Sequence, residues 1–352
     1  MPEQWNKYGP TAARKHGKPG RELRPKSITI DIHSHVGVAA AAALAAPHLT
    51  EAAMPLVHFA DAETRALNDK QEIDIRARAS LEQRLADLDA MGVDLQVILP
   101  PPPQCYYAVP IEIAVKAARL VNDGIAEFCA RKPDRFKGFG SVPMPDGHEA
   151  AKELERCTSK LGFRGVEVLT NVNGRELSDP AFAPFWQKAE ELDALVVIHP
   201  NGFTEAGRLK RFYFNNVIGN PLETTIALHY LIFDGVLERH PKLKILAVHG
   251  GGYLAAYSGR IDHVWGARSD AHKLPQPPTS YLKRVYFDTV VFTPHQLAEL
   301  VRLYGADHII MGTDYPFDMA DYDPIGLVAG AGFDAATVAA IAGGNAKKLL
   351  EA

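Results

Sequence analysis

Eight short runs of β-branched and aliphatic residues recur along this chain, and their spacing leaves few folds open. They are SITIDI (27–32), VDLQVIL (93–99), FKGFGSV (136–142), GVEVL (165–169), ALVVI (194–198), LKILAV (243–248), RVYFDT (284–289) and HIIMG (308–312). Between them lie stretches with apolar residues at spacings of three and four, such as SLEQRLADLDAMG (80–92), EIAVKAARLVNDGIAEFCARKP (112–133) and DPAFAPFWQKAEELDA (179–194). Nearly apolar strands alternating with amphipathic helices predict a parallel sheet covered by helices. Eight such units predict an α/β chain closed as a (β/α)8 TIM barrel. An open doubly wound sheet would want a glycine-rich turn after its first strand, where HSHVG (33–37) stands instead. No GxGxxG follows a strand and no phosphate-binding GxxxxGK loop occurs, so nucleotide binding has no support.

The gap between the first and second runs is too long for one loop and one helix. Residues 37–80 therefore read as an insertion over the barrel mouth, a cap or lid of the kind that long βα connections form. Residues 1–26, punctuated by Gly9-Pro10, Gly17-Lys18-Pro19-Gly20 and Pro25, read as an N-terminal arm ahead of a barrel over 27–352.

Composition excludes more than it selects. A net charge of −4 offers no field for nucleic acid or an anionic membrane, so neither is expected as a partner. The Ala-rich VGVAAAAALAA (36–46) is too short to span a bilayer, and the polar first 26 residues hold no apolar leader core. Cys105, Cys129 and Cys157 form no CxxC pair, which suits a reducing compartment and a cytoplasmic enzyme.

The chemistry gathers at strand ends. His33 and His35 close the first run; residues two apart on a strand point the same way, so the two imidazoles can grip one ion. His199 ends the fifth run, His249 the sixth, and Asp314 follows the eighth. In a barrel all these ends converge on the face where active sites sit. Three His and one Asp suit one divalent ion, Zn2+ or alternatively Mn2+, with a position left for water or substrate; no organic cofactor is expected. His249, backed by Gly250-Gly251-Gly252, is read as a proton shuttle rather than a permanent ligand. His48, His58, His229, His263 and His295 are left out, His229 and His295 because they sit in helical patterns.

Further motifs carry a family likeness: DIHSH (31–35), LDAMGVDLQVI (88–98), HP (199–200), PLETTIALHYLIFDGVLERHPKLKILAVHGGG (221–252), GRIDHVW (259–265), PPTSYLKRVYFDT (277–289), MGTDYPF (311–317) and GNAKKLL (344–350). With these the chain resembles the amidohydrolase superfamily, in its amidohydrolase-2 branch of metal-dependent non-oxidative decarboxylases, the group around α-amino-β-carboxymuconate-ε-semialdehyde decarboxylase. The resemblance covers nearly all of 27–352. It implies metal ligands His33, His35, His199 and Asp314, and His249 with Asp314 as catalytic groups. It also implies substrate contacts from Arg260 and Arg268, one of them supplied across a homodimer interface. Phe212, beside Tyr213, stands near the position of a pocket tryptophan in that family. The family's other carboxylate-binding arginine has no clear equivalent here, Arg76, Arg78 and Arg84 being candidates. The implied activity is carboxy-lyase chemistry on an unsaturated or aromatic carboxylic acid from ring degradation. A hydrolase or hydratase using a metal-activated water on the same barrel is the alternative, and a non-catalytic scaffold is disfavoured because every ligand position keeps a competent residue.

Overall fold

The computed structural model describes residues 20–77 and 80–351; the greater part of the arm, residues 1–19, lies outside them. The eight runs form eight parallel strands. These are β1 (Ile30–His35), β2 (Leu95–Leu99), β3 in two pieces (Phe136–Gly138 and Gly140–Ser141), β4 (Gly165–Leu169), β5 (Leu195–His199), β6 (Lys244–Ala247), β7 (Tyr286–Asp288) and β8 (Ile309–Ile310). Each pairs with its sequence neighbour. Phe139 carries the ladder across the break in β3, its N–H donating to Ile98 O at 2.9 Å. The sheet closes where Ile32 N–H donates to Met311 O (2.9 Å) and His35 N–H to Tyr315 O (2.8 Å). The result is a (β/α)8 barrel.

Two apolar layers hold it. Inside the barrel Ile30, Ile32, Leu95, Val97, Leu99, Phe139, Leu195, Val197, Leu246, Val248 and Ile310 form one cluster. Ala346, Leu349 and Leu350 of the C-terminal helix Asn345–Glu351 join this cluster and plug one end. Alternate strand residues, among them Val166, Val168, Val196, Ile198 and Ile245, join the larger cluster under the surrounding helices. This is the period-two alternation of a strand buried on both faces.

Local signals explain the helix limits. Leu81–Met91 begins at Ser80, whose hydroxyl accepts Gln83 N–H, and stops at Gly92 in the left-handed region (φ 79°). The helix after β4 is shorter than its pattern suggests, Ala183–Glu191, because Asp179 caps a separate 3-10 turn at Pro180–Phe182. The long apolar run after β5 forms Asn220–Phe233 and then breaks at Gly235 (φ 73°) before Val236–Arg239.

Between β1 and the helix Leu81–Met91 the chain makes helices Ala39–Ala45, Pro55–His58 and Ala62–Ala77. Two hydrogen bonds tie this segment to the connection after β5. Asn215 Nδ2 donates to Pro55 O (2.9 Å), and Asp61 N–H donates to Lys210 O (2.9 Å). Among the described residues no helix is long and apolar enough to cross a membrane.

Phe139 is fully buried in the barrel interior between the two pieces of β3. Phe139→Ala should therefore cost about 3–5 kcal/mol through transfer and cavity terms. Thermal and denaturant unfolding check this, and an unchanged Tm would refute the packing role given to the ring.

Candidate metal centre

The barrel mouth gathers imidazoles around one carboxylate. Asp314 Oδ1 lies 3.1 Å from His35 Nε2, 3.3 Å from His33 Nε2 and 4.0 Å from His199 Nε2, while its Oδ2 lies 3.3 Å from His249 Nε2. His33, His199, His249 and Asp314 each offer a ligand atom within 4.8 Å of all the others. His35 adds its own through Asp314, its ring centroid 5.1 Å from those of both His33 and His199.

A local irregularity aims the first pair. Strand pairing sets Asp31 opposite Gln96 and Ser34 opposite Ile98, so Ile32 and His33 together face the single residue Val97. Ile32 packs in the barrel interior, yet His33, next to it, also turns into the site. An extra residue in one strand does this, because it resets the alternation. Asp31 and Ser34 instead bond to neighbouring strands. Asp31 accepts from Gln96 Nε2 (2.7 Å) and Thr313 Oγ1 (2.6 Å), and Ser34 Oγ donates to Val97 O (2.7 Å).

Each ring has its outer nitrogen engaged. His33 Nδ1 donates to Asp288 Oδ2 (2.7 Å), His35 Nδ1 to Pro100 O (2.8 Å) and His199 Nδ1 to Pro200 O (2.6 Å). With Nδ1 as donor, Nε2 of a neutral imidazole carries the lone pair. His33 Nε2 and His199 Nε2 are buried with no hydrogen-bond partner. Orphaned nitrogens converging on a carboxylate fit a divalent cation. His249 differs: its Nδ1 has no partner, and it sits in the left-handed region (φ 54°), as does Asp314 (φ 62°). Such backbone persists only where its surroundings over-determine it.

Beside His249 and Asp314 opens a cavity of about 800 Å³. Tyr253, Tyr257, Val290, Val291, Phe292 and Met319 line it, with Asn216, His295 and Gln296 among its polar groups. Among the described residues no Lys or Arg lines it. Arg260 is exposed on the helix Gly259–Ala267, and Arg268, at the end of that helix, is exposed and paired with Asp270 (2.7 Å). Phe212 is 64% exposed with the Arg211 guanidinium over its ring, and does not line the cavity. Arg84 is buried behind the barrel wall, donating to Gln96 Oε1 (2.7 Å) and His35 O (2.6 Å), and does not line this cavity. The Arg76 side chain and Arg78 lie outside the described residues.

Several residues not named above as site candidates complete the site, Asp31 and Asp288 lying inside the quoted motifs. Asp288 ends β7 and holds His33. Glu167 of β4 is fully buried, with Oε2 3.9 Å from His35 Nδ1. Asp31 joins β1, β2 and the turn after β8. The available signal was a carboxylate inside an otherwise apolar strand, a placement that is costly without a partner.

The amidohydrolase family model matches residues 30–352, nearly the whole barrel. The chain belongs to the amidohydrolase family. This amidohydrolase is 32% identical to the 2-amino-3-carboxymuconate-6-semialdehyde decarboxylase of Dictyostelium discoideum over 331 residues, 92% of each chain. Among solved structures it resembles the 5-carboxyvanillate decarboxylase of Sphingomonas paucimobilis, with a TM-score of 0.82 at 24% identity over 93% of this chain and 99% of that one. It also resembles a dihydroxybenzoic acid decarboxylase of Polaromonas sp. JS666 bound to manganese and 2-nitroresorcinol. There the TM-score is 0.76 at 25% identity, covering 92% of this chain and 97% of the other.

Electrostatics divides the histidines of this amidohydrolase. Burial disfavours protonation of His33, but the carboxylates of Asp314 and Asp288 override it and hold the ring up at about 10. Burial pushes His35 down and takes His199 to about 3, so both are neutral near pH 7. Asp314, although buried, is held well below the usual carboxylate range by the charge on His33 and by bonds from the other imidazoles. Burial raises the Glu167 carboxyl well above that range.

A cation seated here must displace the proton on His33 Nε2. Below about 10 that proton is bound, so metal affinity should rise with pH across the neutral range by about tenfold per unit, with roughly one proton released. Isothermal titration of Zn2+ into metal-free protein, in buffers of different ionisation enthalpy, measures the release. A binding heat independent of the buffer would contradict the charge assigned to His33.

Proposed function

We propose that this amidohydrolase is a metal-dependent, non-oxidative carboxy-lyase that removes CO2 from an unsaturated or aromatic carboxylic acid. The observation that carries the reading is the position of His249. Its Nε2 lies 3.3 Å from Asp314 Oδ2, and the ring borders a mostly apolar cavity wide enough for an aromatic acid. The family membership and the decarboxylases it resembles support the same chemistry.

His33, His35, His199 and Asp314 are the ligands in this reading. A cation held by these residues would supply Lewis-acid chemistry toward the substrate's oxygens. Three imidazoles favour Zn2+, while the manganese in the dihydroxybenzoic acid decarboxylase makes Mn2+ the competing choice. Tyr253, Val291 and Phe292 exclude water and pack the ring or conjugated chain. His249 Nε2–H delivers its proton to the carbon that bears the carboxylate. The electrons of the breaking C–C bond then return to the conjugated system as CO2 leaves. Asp314, in contact with His249, orients the ring for the transfer.

No cation from the chain itself meets the cavity among the described residues, so recognition of a second acidic group would fall to another copy. Arg260, exposed on the helix that follows the cavity residue Tyr257, is the group a homodimer would bring. The three cysteines are buried free thiols, consistent with a cytoplasmic setting.

Elemental analysis together with CO2 release from a panel of ortho-hydroxybenzoates and muconate-type acids tests the reading. About one metal per chain and CO2 release are expected, both abolished by His33→Ala. His249→Asn should keep the metal while kcat falls by about 10²–10⁴. Bound metal without CO2 from any acid would turn the assignment to hydrolysis or hydration. Light scattering that finds a monomer at assay concentration would remove Arg260 from the site.

A further inference from the structure

Asp288 spends one carboxylate oxygen on the ring of His33 and the other on the backbone of the turn that follows His249. Oδ2 accepts from Nδ1 of the ligand His33 (2.7 Å). Oδ1 accepts from the backbone N–H of Gly250 (2.8 Å) and of Val290 (3.2 Å). The side chain is fully buried, so water cannot substitute for either contact. Gly250 directly follows His249, and both have positive φ, 61° and 54°. A left-handed turn at a non-glycine residue requires an external hold, and the Gly250 N–H bond supplies one. Gly312 lets the strand ends approach closely, since a Cβ there would stand 3.0 Å from His33 Cβ and 3.2 Å from Asp288 Cβ.

We infer that Asp288 is a positioning residue that locks the metal ligand His33 and the turn carrying His249 into one unit. One oxygen keeps a proton on His33 Nδ1, so that Nε2 is the nitrogen a cation takes when it displaces the second proton, and the other fixes the direction of the His249 ring. The metal site and the proton-handling group therefore share a single anchor. This rests on the ligand assignment above but not on decarboxylation, and its test uses no turnover.

Asp288→Asn separates the two contacts. The amide oxygen can still accept from Gly250 and Val290, but the amide N–H2 now faces His33 Nδ1. That nitrogen must accept, so the one proton a neutral ring keeps sits on Nε2 and closes it to the cation. Zn2+ binding, measured by competition with a chromogenic chelator, should weaken by about 10–100-fold, while Tm stays near that of the parent. In 15N-histidine NMR spectra of the Zn2+-loaded proteins, Asp288→Asn should move the His33 signals and leave those of His249. Asp288→Ala should move both. Unchanged Zn2+ affinity in folded Asp288→Asn would overturn the tautomer role, and unmoved His249 signals in Asp288→Ala would overturn the link. If neither variant folds, the Zn2+-loaded parent decides the matter: a His33 Nδ1 without a bound proton defeats the inference.

Discussion

A charge buried at the mouth of the barrel sets the terms for everything around it. Asp314 is almost without solvent, and its ionised form survives there only because imidazole nitrogens from β1, β5 and the end of β6 surround it. Those rings are in turn held from behind by acceptors: a carboxylate for His33, and backbone carbonyls for His35 and His199. Removing any one partner would strand a polar group in a region with little water. The mouth is thus preorganised for a cation by the cost of its own burial.

Beneath that layer the packing is indifferent to chemistry. The interior apolar cluster and the cluster under the helices fix where the strands end, and the strand ends fix where the histidines project. A buried polar relay couples the two levels. Arg84 on the helix Leu81–Met91 bonds Gln96 of β2, Gln96 bonds Asp31 of β1, and Asp31 bonds Thr313 after β8. Burial raises Asp31 to about 6, even though Gln96, Thr313 and the His33 backbone N–H all donate to it. That is the residual cost of keeping a carboxyl group under the floor of the site.

Much of this was legible in the chain. The eight apolar runs and the helical periods between them specify the barrel because alternation and period depend on local sequence alone. His33, His35, His199, His249 and Asp314 stood out because they break apolar runs at one polarity of the repeat. The bulge at Ile32–His33 was not legible: simple alternation accounts for His33 and His35 sharing a face, but not for His33 sharing the inward direction of Ile32. Asp288 was hidden for a different reason. Its partner Gly250 follows the neighbouring strand, but His33 is 255 residues away, and only closure of the sheet brings that ring to it. Arg84 reads from sequence as a candidate for substrate, yet its guanidinium is consumed by Gln96 and a backbone carbonyl, a fate set by tertiary packing. The pocket residues around Phe292 belong to loops, where sequence carries no period to follow.

The seam between β1 and β8 gives the centre a second meaning. His33 and His35 come from the first strand of the barrel, and Asp314 follows the last. Open that seam and the ligand set ceases to exist. An ion bound across it would act as a clasp, favouring the closed ring over any opened or partly folded form by mass action. The histidine cluster would then also be a checkpoint for assembly, able to fill only after the final strand has found the first.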